Sequence, residues 1–182
     1  MKGIVFNLLE ECVRAAHGDN AWDALLDAAE LDGAYTSLGS YPDDHLGRLV
    51  AAAASVQGVP ENEILRWFGR GAIPRLAEKY PAFFRPHDST LPFLLTLNKI
   101  IHAEVRKLYP GAQVPVFEFE TRPNQELVVE YRSSRGLCAL AVGMIEGAAR
   151  QFGEQVTLSH PRCRQQGEDA CIFHVTFAPS VG

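Results

Sequence analysis

Apolar and polar residues recur along this chain with two different periods, and the change falls near Pro110. Before it, apolar positions return every three or four residues, as amphipathic helices require. Ile4, Val5, Leu8, Leu9, Cys12, Val13 and Ala16 predict a first helix over residues 1 to about 17, with Gly18 as its stop. Asp19 and Asn20 can cap a second helix carrying Trp22, Leu25, Leu26 and Ala29. Residues 31–43 read as a loop rich in Gly, Ser and Asp. Asp43-Asp44 then opens a helix carrying Leu46, Leu49, Val50, Ala53 and Ala54 that ends near Gly58. Pro60 sits at the next helix start, ahead of Ile64, Leu65, Trp67 and Phe68. Gly69, Gly71 and Pro74 are expected to break that pattern before a short helix to Lys79. Leu91 to Tyr109 reads as one helix, capped by Asp88 or Ser89 and stopped by Pro110-Gly111.

After Pro110 the period becomes two. Strands are predicted at 115–120, 126–132, 155–160 and 171–177, with Pro123-Asn124 turning the first pair into a hairpin. A helix from Leu137 to Phe152 separates the second strand from the third. The order β-β-α-β-β predicts an antiparallel sheet with that helix across one face. The fold class is therefore α+β. A helical lobe over 1–85 is followed by a lobe over 86–182 with a four-stranded antiparallel sheet and packed helices. At 182 residues this reads as one domain, with no internal repeat or low-complexity linker. The chain ends soon after its last strand, so no output domain is expected to follow.

Composition narrows the function. Apolar residues make up 47%, ordinary for a globular protein, and the net charge of −5 with no basic stripe argues against nucleic acid. No run approaches the ~20 apolar residues that a membrane span needs. The N-terminus carries one Lys and then Glu10 and Glu11, unlike a signal peptide, so a cytoplasmic location is expected. Four cysteines in a reducing compartment point to metal, redox chemistry or packing rather than disulfides. A Gly-rich phosphate loop and a nucleophile elbow are both missing, which removes the commoner enzyme classes.

Two features near the change of period carry chemistry. His102 lies on one face with Leu94, Asn98, Ile101, Val105 and Tyr109, on or beside a buried stripe. Taken alone it reads first as a core histidine with one satisfied hydrogen bond. The second feature is Tyr131-Arg132-Ser133-Ser134-Arg135. In extended chain, Tyr131, Ser133 and Arg135 point the same way. Two hydroxyls and a guanidinium at one spot suit a pair of carboxylates.

Taken together, these residues resemble the haem nitric oxide/oxygen-binding (H-NOX) domain of bacterial gas receptors and soluble guanylate cyclases. The resemblance also takes in Met1-Lys2-Gly3-Ile4, Pro115, Gly143 and Glu146-Gly147, and so runs almost end to end. It implies a haem b between the lobes, with His102 as the proximal iron ligand and Tyr131, Ser133 and Arg135 holding the propionates. Pro115 would press on the haem, and Ile4, Leu8, Ile73, Leu140 and Met144 would line the pocket. All five are apolar, whereas family members that hold dioxygen stably place a tyrosine where this chain has Leu140. A buried donor stabilises bound dioxygen by roughly 1–3 kcal/mol. The resemblance thus implies a stand-alone sensor of nitric oxide, also binding carbon monoxide, rather than an enzyme. A peroxidase or oxygenase would need acid–base groups beside the iron. Nitric oxide would break the Fe–His102 bond, release its helix and shift one lobe against the other. The signal would pass to a separate protein such as a histidine kinase or a cyclic-di-GMP enzyme.

Cys138, His160, Cys163 and Cys171 form a second candidate group. Three thiolates and an imidazole suit a closed tetrahedral zinc site, although the spacing is not that of a common zinc finger and also fits plain packing. A subset of bacterial H-NOX proteins resembles this chain at all four positions, which implies structural zinc; redox sensing by the same cysteines is a second possibility. Cys12 reads as core, and His17, His45, His87 and His174 are assigned no role. The rival to the haem reading is a haem-free module of the 4-vinyl-reductase-like type, which binds small organic molecules and does not require His102 together with the Tyr131-Ser133-Arg135 triplet.

Overall fold

The computed structural model of the chain describes residues 1–123 and 126–179, so the turn expected at Pro123-Asn124 lies partly outside the described residues. Helices α1 (Gly3–His17), α2 (Asp19–Ala29), α3 (Asp44–Gln57) and α4 (Glu61–Lys79) come first. Their apolar faces meet in one core built on Phe6, Leu9, Trp22, Leu46, Leu49 and Phe68. Gly18 ends α1 with a positive φ of 88° that only glycine adopts cheaply, as the sequence anticipates. The opening residues are stitched to the loop before α3. Gly3 N–H donates to the Gly39 carbonyl at 3.0 Å and Ile4 N–H to that of Ser37 at 3.1 Å. A Cβ at Gly3 would stand 1.8 Å from the Thr36 carbonyl oxygen, so this loop can close only over glycine.

α4 corrects the sequence reading. It runs unbroken through Gly69, Gly71 and Pro74 to Lys79. The glycines serve packing rather than termination. A Cβ at Gly69 would meet the Leu140 carbonyl oxygen at 2.4 Å, and one at Gly143 would meet that of Arg66 at 2.1 Å. Missing side chains let α4 lie almost backbone to backbone on α8 (Cys138–Gln151). Pro74 forfeits one helical hydrogen bond, which this contact outweighs. Glu146 clamps the crossing, accepting from Arg66 Nε at 2.9 Å and Arg70 Nη1 at 2.9 Å. Burial by itself would raise the Glu146 carboxyl, but the two guanidiniums outweigh it and hold it below the usual range.

The second half follows the predicted α+β plan. Strands β1 (Val116–Thr121), β2 (Glu126–Arg132), β3 (Glu154–Arg162) and β4 (Cys171–Pro179) form one antiparallel sheet in the order β1-β2-β4-β3. α8 covers one face. Leu127, Val129, Phe173 and Val175 are wholly buried beneath it, each side chain contributing about 1.5–3 kcal/mol. Between the halves lie α5 (Pro81–Phe84), α6 (Thr90–Leu95) and α7 (His102–Leu108). The single helix expected over Leu91 to Tyr109 is instead three pieces. Residues Leu97–Ile101 form a wider turn: Ile101 N–H donates to Thr96 and His102 N–H to Leu97, each five residues back. Ser89 makes no side-chain cap for α6; Glu154 of β3 accepts from Thr90 N–H at 2.8 Å instead.

Candidate functional site

His102 follows the wide turn directly, and that turn is pinned to the sheet edge. The Asn98 side-chain amide donates to the Phe117 carbonyl and its oxygen accepts from Phe117 N–H at 3.2 Å, so Asn98 imitates a neighbouring strand. At the far end of α7, the Tyr109 hydroxyl pairs with that of Tyr80, next to the C-terminus of α4. A single-turn bulge of this kind re-aims the residue after it. The His102 ring sits 5.8 Å from the Phe117 ring, which sits 5.3 Å from the Tyr131 ring. His102 Nδ1 is buried with no hydrogen-bond partner. Burial, and secondarily the Arg106 charge, lower the imidazole to a pKa of about 4; the Pro115 backbone opposes this but supplies no well-aligned bond to Nδ1. The ring is therefore neutral near pH 7, with a nitrogen lone pair available to a metal.

Tyr131 lies in β2, but the strand ends at Arg132 and Ser133 and Arg135 follow in a turn, so the extended alternation expected over 131–135 stops short; the Arg135 N–H folds back onto the Ser133 hydroxyl at 3.2 Å. Tyr131 is almost fully buried, and burial pushes its phenol up to about 12, so it stays a proton donor. The Arg135 guanidinium donates to Asp43 Oδ2 at 2.8 Å and to the Gln113 carbonyl at 2.7 Å. Asp43 also takes the Met1 ammonium at 2.5 Å. A carboxylate thus already sits where the sequence reading puts a carboxylate-binding arginine. Asp43 was legible only as a helix-opening acid; it stands 92 residues from Arg135, and no local spacing points to the pairing.

The five apolar positions straddle two cores. Leu8 belongs to the helical core, with Ile4 and Leu140 packed on its edge; Ile73 belongs to the sheet core, with Met144, Leu97 and Ile101 packed on its edge. Ile4, Leu140 and Met144 are only partly buried. Apolar edges on both cores, a buried imidazole whose Nδ1 has no partner, and an arginine with two hydroxyls are the groups that a haem needs: His102 would hold the iron and the triplet would hold the propionates. Pro115 is half-buried just ahead of β1.

The second group also comes together. The ligand atoms of Cys138, His160, Cys163 and Cys171 all lie within 4.8 Å of one another. Cys138 Sγ is 3.8 Å from Cys163 Sγ, which is 4.0 Å from Cys171 Sγ, and no disulfide joins them. A tetrahedron with ~2.3 Å zinc–sulfur bonds has edges of about 3.8 Å. His160 Nε2 is buried without a partner. Burial first, then the neighbouring thiols, raise Cys138 above its usual range, and burial does the same for Cys171. The donors therefore fit a divalent cation whose charge would replace the protons. All three cysteines are buried, as is Cys12, whose thiol burial pushes up to about 11 and which takes no part in the cluster.

Several solved structures share this fold. An H-NOX protein from S. oneidensis in its Fe(II)NO state is 31% identical, covers 98% of this chain and 99% of its own, and superposes with a TM-score of 0.91. A triple mutant of that protein in the Fe(II) state gives 31% identity, 100% and 98% coverage and a TM-score of 0.93. An oxygen-binding H-NOX domain related to soluble guanylate cyclases, 24% identical over 100% and 98% of the chains, shares the fold with a TM-score of 0.82. Comparison with curated proteins gives no match. Among the described residues, no helix is long and apolar enough to cross a membrane. The profile of the haem-NO-binding family matches residues 2–160, and the chain accordingly belongs to that family, the H-NOX domains, which are haem-based gas sensors rather than enzymes.

Proposed function

We propose that this chain is a nitric oxide sensor that works as one domain of two lobes, 1–85 and 86–182, and signals to a separate protein. A ferrous haem held by His102 would supply an iron that binds diatomic gases. The observation that carries the reading is the neutral, unpartnered His102 imidazole at the end of a turn held in place by Asn98. Tyr131, Ser133 and Arg135 orient the cofactor by its carboxylates. Ile4, Leu8, Ile73, Leu140 and Met144 exclude water and offer bound gas no hydrogen-bond donor. Nitric oxide and carbon monoxide need none, whereas dioxygen does. Loss of the His102 ligand would free α7 and the wide turn before it, leaving Asn98 and Tyr109 as the remaining ties to β1 and α4. Pro115, half-buried just ahead of β1, would press on the haem. Cys138, His160, Cys163 and Cys171 would hold structural zinc.

The test is the absorbance spectrum of the reduced protein under each gas. Nitric oxide and carbon monoxide should shift the Soret band, and air should leave no stable adduct. A long-lived dioxygen adduct would contradict the selectivity. A colourless protein that takes up no haem would favour the 4-vinyl-reductase-like reading. A pull-down with a histidine kinase and a cyclic-di-GMP enzyme from the same genome would decide between the two partner classes.

A further inference from the structure

The Cys/His cluster and the clamp around Arg135 are physically joined. Cys163 and Cys171 bound a short polar loop that begins with a tight turn over Arg164–Gln166. Arg164 faces both ways. Its backbone N–H donates to Cys171 Sγ at 3.4 Å, and its guanidinium donates to the Ser133 carbonyl at 3.0 Å. The Gln165 side chain donates to the Gly136 carbonyl at 2.7 Å. Ser133 and Gly136 bracket Arg135, whose own N–H donates to the Ser133 hydroxyl at 3.2 Å. On the opposite flank, Tyr131 is the cross-strand partner of Cys171, and Cys138 starts α8 two residues after Gly136. Both ends of the clamp segment are thus attached to residues of the cluster.

Residues 164–169 are all exposed, so no apolar burial fixes this loop. Its position is set by its two cysteine ends and by the hydrogen bonds that leave it. Four ligands on one cation would fix those ends rigidly, whereas three thiols 3.8–4.0 Å apart along the chain Cys138–Cys163–Cys171 and an unpartnered imidazole hold them weakly.

We propose that Arg164 and Gln165 are positioning residues for the Tyr131–Ser133–Arg135 clamp, through which a cation at the Cys/His cluster sets how firmly the chain retains haem. The proposal rests on the haem and metal assignments above. The experiment uses the full chain loaded with haem and zinc, and follows haem transfer to excess apomyoglobin by absorbance. Stripping zinc with EDTA under reducing conditions should speed haem release roughly threefold to tenfold, the size of one or two hydrogen bonds. The double variant Arg164→Ala/Gln165→Ala should release haem at the fast rate while still holding one zinc per chain, and stripping should speed it no further. The exposed neighbour Gln166→Ala should keep the slow rate. A double variant that holds zinc and retains haem like the parent overturns the link, as does a parent indifferent to stripping. A chain that takes up no haem or no zinc overturns the underlying assignment, and shows this in its spectrum or elemental analysis before any rate is measured.

Discussion

His102 is costly to charge where it stands, and this gives the haem-free chain an acid-sensitive stability. Its folded pKa of about 4 lies below the ordinary 6.5. The neutral ring is favoured in the fold, so its contribution is fully present above pH 6.5 and fades as pH falls toward 4, where the unfolded chain takes up a proton that the folded chain refuses. Urea midpoints of apo-protein should therefore fall between pH 7 and 5, and His102→Gln should flatten that fall. An equal slope in the variant would show that other groups dominate. Arg135 acts by charge. Arg135→Ala removes a charge-assisted donor worth about 1.5–3 kcal/mol, so haem should dissociate roughly tenfold to a hundredfold faster; an unchanged rate would place the propionates elsewhere. His102 and the triplet stand out as candidates in the sequence because each has a local pattern. Asp43 could not, nor could Glu154 as the acceptor for Thr90, because both act on residues more than sixty positions away.

Helix and strand types followed the apolar periods closely, and the two misread elements have different causes. Gly69, Gly71 and Pro74 are breakers by local propensity, yet α4 continues because the missing side chains are what α8 packs into. The wide turn before His102 keeps apolar spacings close enough to a plain helix to hide its extra residue. Gly143→Ala should consequently lower stability by about 2–4 kcal/mol, as its Cβ would meet a backbone carbonyl that cannot swing aside. Gly71→Ala meets only the Cys12 sulfur at 2.9 Å and should cost much less. Thermal melts of the two variants check this, and equal losses would mean that the helices separate without strain.

At the scale of the molecule, a helical core and a sheet core are joined where α4 packs on α8, and the Cys/His cluster sits at the end of the sheet where β3 leads into β4. The α+β plan was legible from the change of period at Pro110. The placement of β4 inside the sheet was not, because strand order depends on pairings that no local pattern encodes. The cluster predicts that metal removal loosens that end selectively. After chelation, amide exchange should rise in β3, the Cys163–Cys171 loop and the start of α8, while α2 and α3 keep their protection; a uniform rise would contradict a local brace. The whole account depends most on His102 as the iron ligand that nitric oxide displaces. The direct measurement compares two spectra at saturating nitric oxide and room temperature: the reduced, haem-loaded chain, and His102→Ala loaded with haem and freed of imidazole. The account predicts that they coincide, because the parent has lost the same ligand that the variant lacks. A parent spectrum that keeps the signature of a sixth ligand, distinct from the variant, would contradict it.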